Sequence, residues 1–379
     1  MGYIGVGRYL PDPYSPLISC PAFVDRFPTP FRFSEAATVT MIMNGAVHGI
    51  GHREIGQAMG ILALLGVAMG LPQAAPQTAS TPGLTLGSKE SCTRYSGLPS
   101  EWGQNRRAGM IRLQGGTFTL GTKLGYEDER PEIKTKVAGF WIDQTEVTVA
   151  QFASFVKATG YVTTAEQDGS AVVFHPPSAE ELQQRDYAWW QVIRGANWRH
   201  PTGPSSSASD NLPVTLVTFA DAEAYAHWLG RELPSEIQWE YAGKAGKNGP
   251  ALENEPRDTA GKPIANFWQG PFPVSNSAED GFVGLSPVGC FAGNDFQLYD
   301  MRGNAWEQTR DAYRESHETG TFGTALGVQT DRPDRLMVVK GGSHLCGRDF
   351  CVRYRASARE AHEANLPISH IGFRTVLVE

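Results

Sequence analysis

Two cysteines, Cys346 and Cys351, stand close together in the segment Gly341–Arg355, which reads GGSHLCGRDFCVRYR. Thiols at this spacing admit three chemistries. The first is a structural disulfide closing a short loop, the ordinary fate of neighbouring cysteines in an oxidising compartment. The second is a metal clamp. Zinc takes four ligands, often as two close pairs, and neither a second CxxC nor a nearby histidine pair supplies the other half. Two thiolates alone suit a soft ion of low coordination number, and Cu(I) is the best match by ligand softness. The third is a redox-active pair, with Arg348, Arg353 and Arg355 favouring the thiolate. The same arginines equally suit pairing with surface carboxylates. On the residues alone the three readings stay open.

The chain that must position these thiols has 379 residues, 41% of them apolar, enough for a sizeable core. Its 42 glycines, 25 prolines and nine tryptophans point to a loop-rich globule held by large aromatic side chains rather than by long helices. The net charge of −7 comes with no basic stripe, which argues against a nucleic-acid partner.

The N-terminal region differs in character. Residues 58–71, AMGILALLGVAMGL, carry no charge. They are too few for a stable membrane span, which needs about 20 residues, and suit the apolar core of a secretory signal. His52 and Arg53 precede them, and Ala68-Met69-Gly70 or Gln73-Ala74-Ala75 offers a cleavage site. Met41 or Met43 is a candidate start. The reading is therefore a leader over 1–75, a Pro/Ala/Ser/Thr-rich linker or extension over 76–107, and one domain over 108–379. It implies export, periplasmic or secreted; if 58–71 is instead a buried helix, the protein is cytoplasmic. Cys20 would leave with the leader. Cys92, Cys290, Cys346 and Cys351 then remain, and four cysteines allow three pairings.

Regular elements are few. Ile111–Leu113 and the following GGTFTLG read as strand and turn, and Phe140–Ile142 as a short strand. Thr148 caps a helix whose apolar positions are Val149, Phe152, Phe155 and Val156, and Gly160 stops it. A second helix starts at Thr218, with Asp221 at its third position. Ser235 and Gln238 form a capping box for a third. Residues 160–217 read as almost wholly irregular, which is unusual unless such loops are functional or held by ions.

At this point the motifs resemble a known family. The cysteine segment, with Ile371-Gly372-Phe373-Arg374 near the end, resembles the active-site region of the formylglycine-generating enzymes, the sulfatase-modifying factor family. GANWRHPTGP (195–204), RELPSEIQWEYA (231–242), ANFWQGPFPVSNSAEDGF (265–282) and LYDMRGNAWE (298–307) are similar to further blocks of it. The likeness covers about 110–379, and the cysteine pair is its specific part.

The resemblance implies an α+β, C-type-lectin-like fold of low regular content. It implies a monomeric oxidase that converts the cysteine of a Cys-x-Pro-x-Arg motif in an extended sulfatase polypeptide to Cα-formylglycine, using O2. Cys346 and Cys351 would hold Cu(I), Ser343 would lie beside it, and Trp306 would wall the oxygen pocket. It also implies two structural Ca2+ ions, which take six to eight hard oxygens. One would use Asn266 and Asp280 with the carbonyls of Phe267 and Phe282; the other would use Asp300 and Glu307 with the carbonyls of Gly303 and Ala305. The sequence departs from the family where Phe350 replaces a usual tyrosine, His370 an asparagine, and Gln308-Thr309 follows Trp306-Glu307. Trp189-Trp190 and Trp198-Arg199 suit either a peptide groove or the aromatic core. The rival reading is a non-catalytic or substrate-diverged binding module of the same lectin-like superfamily. An iron enzyme with three histidine ligands is disfavoured: the only helix-spaced pair, His48 and His52, falls in the leader.

Overall fold

The three helices marked by capping signals form where those signals put them. α2 (Val149–Thr159) starts at Thr148, whose hydroxyl accepts from Gln151 N–H at 3.2 Å while the Gln151 side chain accepts from Thr148 N–H at 2.9 Å; Gly160 ends it in the left-handed region. α5 (Phe219–Trp228) and α6 (Glu236–Lys244) have the same reciprocal box at Thr218/Asp221 and Ser235/Gln238. Each box satisfies two of the otherwise orphaned first-turn N–H groups. This computed structural model describes residues 85–317 and 335–378. The leader, with the apolar stretch 58–71 and Cys20, lies outside them. No helix among the described residues is long and apolar enough to cross a membrane.

Around the helices run small sheets. β1 (Met110–Leu113), β4 (Phe140–Asp143) and β11 (Val376–Leu377) form an antiparallel sheet in the order β1-β4-β11, so the domain's last strand is tied to its first. β2 (Gly116–Leu120) and β3 (Ile133–Val137) make a hairpin. The sheet that carries the site has the order β10-β7-β8-β9. In it β7 (Trp306–Ala312) pairs parallel with β10 (Ile371–Gly372) and antiparallel with β8 (Leu336–Lys340), and β8 pairs with β9 (Arg359–Glu363).

Residues 160–217 correct the expectation of irregular chain. They hold α3 (Thr164–Asp168), β5 (Ser170–Phe174), α4 (Ala179–Gln184) and β6 (Trp190–Arg194), with β5 and β6 paired antiparallel from Ser170↔Arg194 to Phe174↔Trp190. The hairpin escaped the pattern for two reasons. Its connection, 175–189, contains a helix and so lacks a tight-turn signature, and the centre of β5 is buried on both faces instead of alternating.

Phe152, Phe155, Trp198, Tyr225 and Phe373 pack together between α2 and α5. A second cluster sets Trp239 of α6 against Phe118, Phe140 and Ile142. A third, with Phe267, Trp306, Val339 and Tyr354, surrounds the two thiols. The α6 face toward the site sheet is charged. Lys340 Nζ lies 2.8 Å from Glu240, and Arg359 donates to both oxygens of Glu236 at 2.7 and 3.1 Å. Burial alone would raise both carboxyls; Arg359 and Lys340 hold Glu236 below the usual range, and Lys340 and Lys244 do so for Glu240.

Of the possible disulfides the structure forms Cys92–Cys290, with Cys346 and Cys351 free. Cys92 lies in α1 (Lys89–Arg94), within the stretch read as linker, and the bridge spans 198 residues. A cross-link of that span stabilises mainly by restricting the unfolded chain. Replacing Cys92 and Cys290 together by serine is expected to cost about 2–5 kcal/mol, read as a lower urea midpoint with the slope unchanged; an unchanged midpoint would contradict the role.

Candidate metal and active site

The thiol loop connects β8 to β9. Its shape begins with Gly342, where φ is +76° and a Cβ would lie 2.5 Å from the Arg353 carbonyl oxygen. Only glycine permits that approach. Ser343 then starts a turn: Cys346 N–H donates to Ser343 O at 2.9 Å, and Leu345 N–H to Ser343 Oγ at 3.2 Å. A second turn brings Cys351 N–H to Gly347 O at 3.1 Å. Together they fold the segment back and set the two Sγ atoms 3.4 Å apart, with both side chains buried. A disulfide needs about 2.05 Å, so the pair is two neighbouring thiols. Trp268 N–H donates to Cys346 O at 2.8 Å and ties the loop to the 265–282 segment.

The thiols open on a cavity of about 60 Å³. Trp306, Val339, Leu345, Ile368 and Ile371 supply apolar wall; Ser343, His362, His370 and Glu360 supply its polar points. Trp306 is held where β7 meets β10, its N–H donating to His370 O at 2.9 Å. Ser343 Oγ is 3.2 Å from His370 Nδ1, and Cys346 Sγ accepts from Ser343 N–H at 3.4 Å. Phe350 stacks on Phe272 at 4.2 Å and 11°, and Trp189 meets both edge-on at 5.3 Å. Where a tyrosine would carry a hydroxyl, Phe350 thus completes an aromatic rim. Trp189 and Trp190 line the cavity; Trp198 is core, with Arg199 over its ring at 3.9 Å.

The arginines are engaged by carboxylates, although Arg353 also feels the Cys351 sulfur. Arg348 pairs with Glu255 at 2.9 Å, Arg353 with Asp128 at 3.0 Å, and Arg355 with Glu129 at 2.5 Å and Glu253 at 2.9 Å. Burial, then the adjacent Cys351, pushes the Cys346 thiol well above its ordinary value. A thiol of that kind is a poor nucleophile at neutral pH and is deprotonated by binding a metal. Of the three opening readings, the geometry fits the soft-metal clamp. Among the described residues no three His, Cys, Asp or Glu side chains form a metal-binding group, so two sulfurs are the donors available.

Sequence reading did not single out Glu360 and His362, which reach the cavity from β9. The signal was the two-residue spacing, which puts both on one face of a strand, but no motif marks REAHE. Burial, then Cys351, pushes Glu360 up to about 8. Burial holds His344 and His362 down to about 4, and His370 lower than its ordinary value. These imidazoles are neutral when folded and protonate readily when unfolded. Their contribution is present above about pH 6.5 and is lost as pH falls toward 4, by roughly 1–3 kcal/mol for each of His344 and His362. Melting temperature is expected to fall through that window, and His362→Gln to flatten the slope; a flat wild-type profile from pH 7 to 4.5 would contradict this.

The residues implied for calcium form no cluster of three metal-ligating acidic, histidine or cysteine side chains among the described residues. Asn266, Asp280, Asp300 and Glu307 are all buried. The Asp280 carboxylate accepts from Phe267 N–H at 3.1 Å, Phe282 N–H at 2.9 Å and the Gln269 amide at 2.8 Å. Asn266 Nδ2 donates to Gly284 O and Asn304 Oδ1, leaving its Oδ1 buried with no partner. At Gly303 a Cβ would lie 2.0 Å from Asn266 O, so the two segments touch backbone to backbone. Asp300 accepts from Gly289 N–H at 2.5 Å. Glu307 takes a two-pronged bond from Arg374 at 2.6 and 2.7 Å and one from Trp239 Nε1 at 2.7 Å. Asn266 Oδ1, a buried oxygen without a hydrogen-bond partner, would suit a hard cation.

Residues 95–378 match the family model described as a sulfatase-modifying factor enzyme 1-like domain. The chain is 40% identical over 291 residues to a formylglycine-generating enzyme of Mycobacterium tuberculosis, covering 70% of this chain and 97% of that one. It is 33% identical over 296 residues to an inactive C-alpha-formylglycine-generating enzyme 2 of Bos taurus, covering 74% and 91%. Among solved structures, PvdO from Pseudomonas aeruginosa superposes with a TM-score of 0.53 at 24% identity over 71% of this chain and 94% of that one, a likeness of fold.

Proposed function

This chain belongs to the sulfatase-modifying factor family, and we propose that it is an O2-dependent oxidase converting a cysteine of a Cys-x-Pro-x-Arg segment in a sulfatase to Cα-formylglycine. The observation that carries the proposal is the pair of buried, unbridged thiols 3.4 Å apart at the wall of an aromatic-rimmed cavity. A binding module has no need of two reduced thiols there. Cys346 and Cys351 would hold Cu(I), which when bound supplies the one-electron O2 chemistry that side chains lack.

The protein's own part is placement and exclusion. The rim of Trp189, Phe272 and Phe350 admits a small side chain from an extended peptide and keeps bulk water out. Trp306, Val339 and Ile371 offer O2, an apolar molecule, an apolar pocket. Ser343 and His370 are the hydrogen-bonding pair at the cavity wall, able to hold a proton between Oγ and Nδ1 near the incoming thiol. With Phe350 lacking a hydroxyl, that pair replaces it as proton carrier. Overall –CH2SH becomes –CHO with release of hydrogen sulfide, and O2 is reduced to water with two electrons from the substrate and two from an external thiol reductant.

The Cys92–Cys290 disulfide supports export into an oxidising compartment. The test is incubation of a Cys-x-Pro-x-Arg peptide with the Cu(I)-loaded protein, O2 and a thiol, followed by mass spectrometry for the aldehyde. Turnover supports the oxidase; peptide binding without turnover supports the rival binding module, which the likeness to an inactive relative favours. Ser343→Ala is expected to lower kcat about 10–100-fold with a smaller change in KM; an unchanged kcat would remove Ser343 from the mechanism.

A further inference from the structure

Behind the thiol loop lies a buried charge imbalance. Glu146, in the turn between β4 and α2, is fully buried. Its Oε1 accepts from Asn304 Nδ2 at 2.9 Å; its Oε2 is buried with no N–H donor, and the carboxyl lies within hydrogen-bonding reach of the Asp300 carboxyl. The carboxylates it faces are Asp300 and Glu307, and the cation acting on them among the described residues is Arg374. Arg374 is committed to Glu307, gripping both of that residue's oxygens. Three carboxyl groups therefore share one guanidinium among the described residues; burial and the Asp300 and Glu307 charges push Glu146 well above the usual carboxylate range, so without a cation it keeps a proton against Asp300. One divalent cation beside Glu146 and Asp300 balances the set.

We propose that Glu146 is a further ligand of the cation site expected at Asp300, its Oε2 completing an oxygen shell that the resemblance drew only from Asp300, Glu307 and the carbonyls of Gly303 and Ala305. Both Glu307 oxygens are already held by Arg374 and one also by Trp239 Nε1, so Glu146 and Asp300 are the two carboxylates that would meet the ion directly, and two carboxylates with backbone carbonyls and water are a normal calcium set. Asn304 joins this site to the other one. Its Nδ2 donates to Glu146 and its Oδ1 accepts from Asn266 at 3.1 Å, while its backbone carbonyl accepts from His344 N–H at 2.8 Å, beside Ser343. Filling the site would thus brace the loop that carries the thiols.

The test uses the full chain, Ca2+ titration calorimetry and melting curves in Ca2+ and in chelator, independently of oxidase activity. Wild type is expected to bind Ca2+ and to melt higher with it. Glu146→Gln mimics the neutral acid that burial, Asp300 and Glu307 enforce in the absence of a cation. It is therefore expected to melt at or above wild type in chelator, below it in Ca2+, and to lose one Ca2+ per chain or at least tenfold in affinity. Asp280→Asn should weaken the other site and leave this one. Glu146→Gln with wild-type Ca2+ affinity, or equally destabilised in both buffers, would overturn the proposal, as would a wild type that binds no Ca2+. If Glu146→Gln does not fold, Glu146→Asp reads the same affinity change.

Discussion

Cys346→Ser and Cys351→Ser are each expected to abolish aldehyde formation, by at least about a thousandfold or roughly 4 kcal/mol of activation free energy, while the protein stays folded. The two sulfurs are the soft donors at the cavity, and serine replaces a soft ligand with a hard one that stays protonated. The fold should tolerate the change. Serine is smaller than cysteine but keeps an acceptor for the Ser343 N–H that Cys346 Sγ now takes at 3.4 Å, and the other bonds that shape the turn come from backbone groups and Ser343 Oγ. Melting temperatures within a few degrees of wild type would separate loss of chemistry from loss of structure. A Cys346→Ser protein that turned over at the wild-type rate would show that the pair is not the centre.

The largest stability effect is expected at Arg374. Its guanidinium is fully buried and donates to both Glu307 oxygens, to Tyr299 O at 3.0 Å and to Asp143 O at 3.1 Å. It joins the end of the domain to the Asp300–Glu307 segment and offsets part of the Glu146, Asp300 and Glu307 charge. Arg374→Met leaves those carboxylates without compensation, a loss of about 3–5 kcal/mol, which for a domain of this size lowers the melting temperature by on the order of 10 °C. Arg374→Lys keeps the charge but not the planar fork and should recover only part of it. A Met variant within 2 °C of wild type, about half a kcal/mol, would mean that the pair contributes little.

How much of this the sequence disclosed depended on whether the signal was local. Capping boxes are local, so Thr148, Thr218 and Ser235 marked their helices correctly. The thiol loop was legible for the same reason: Gly342, Ser343, Cys346 and Cys351 are neighbours in the chain. The β5–β6 hairpin was hidden because its long connection lacks a tight-turn signature and the centre of β5 is buried on both faces, where Val172 N–H also donates to Pro367 O at 3.0 Å. Spacing left the arginines open between activating the thiols and pairing with carboxylates because it does not reveal partners: Arg353 and Arg355 meet Asp128 and Glu129, more than two hundred residues away. Glu146 was invisible likewise. A lone acidic residue before a helix carries no mark of the Asp300 and Asn304 that surround it once the chain has folded.

The most direct measurement is aldehyde yield from a Cys-x-Pro-x-Arg peptide as Cu(I) is titrated into metal-free protein under O2 with excess thiol. The account expects no product without copper, a rise that saturates at one Cu(I) per chain, and no rise at any copper level in the Cys346→Ser/Cys351→Ser double variant. Product formed without copper, or copper-dependent product persisting in the double variant, would contradict it.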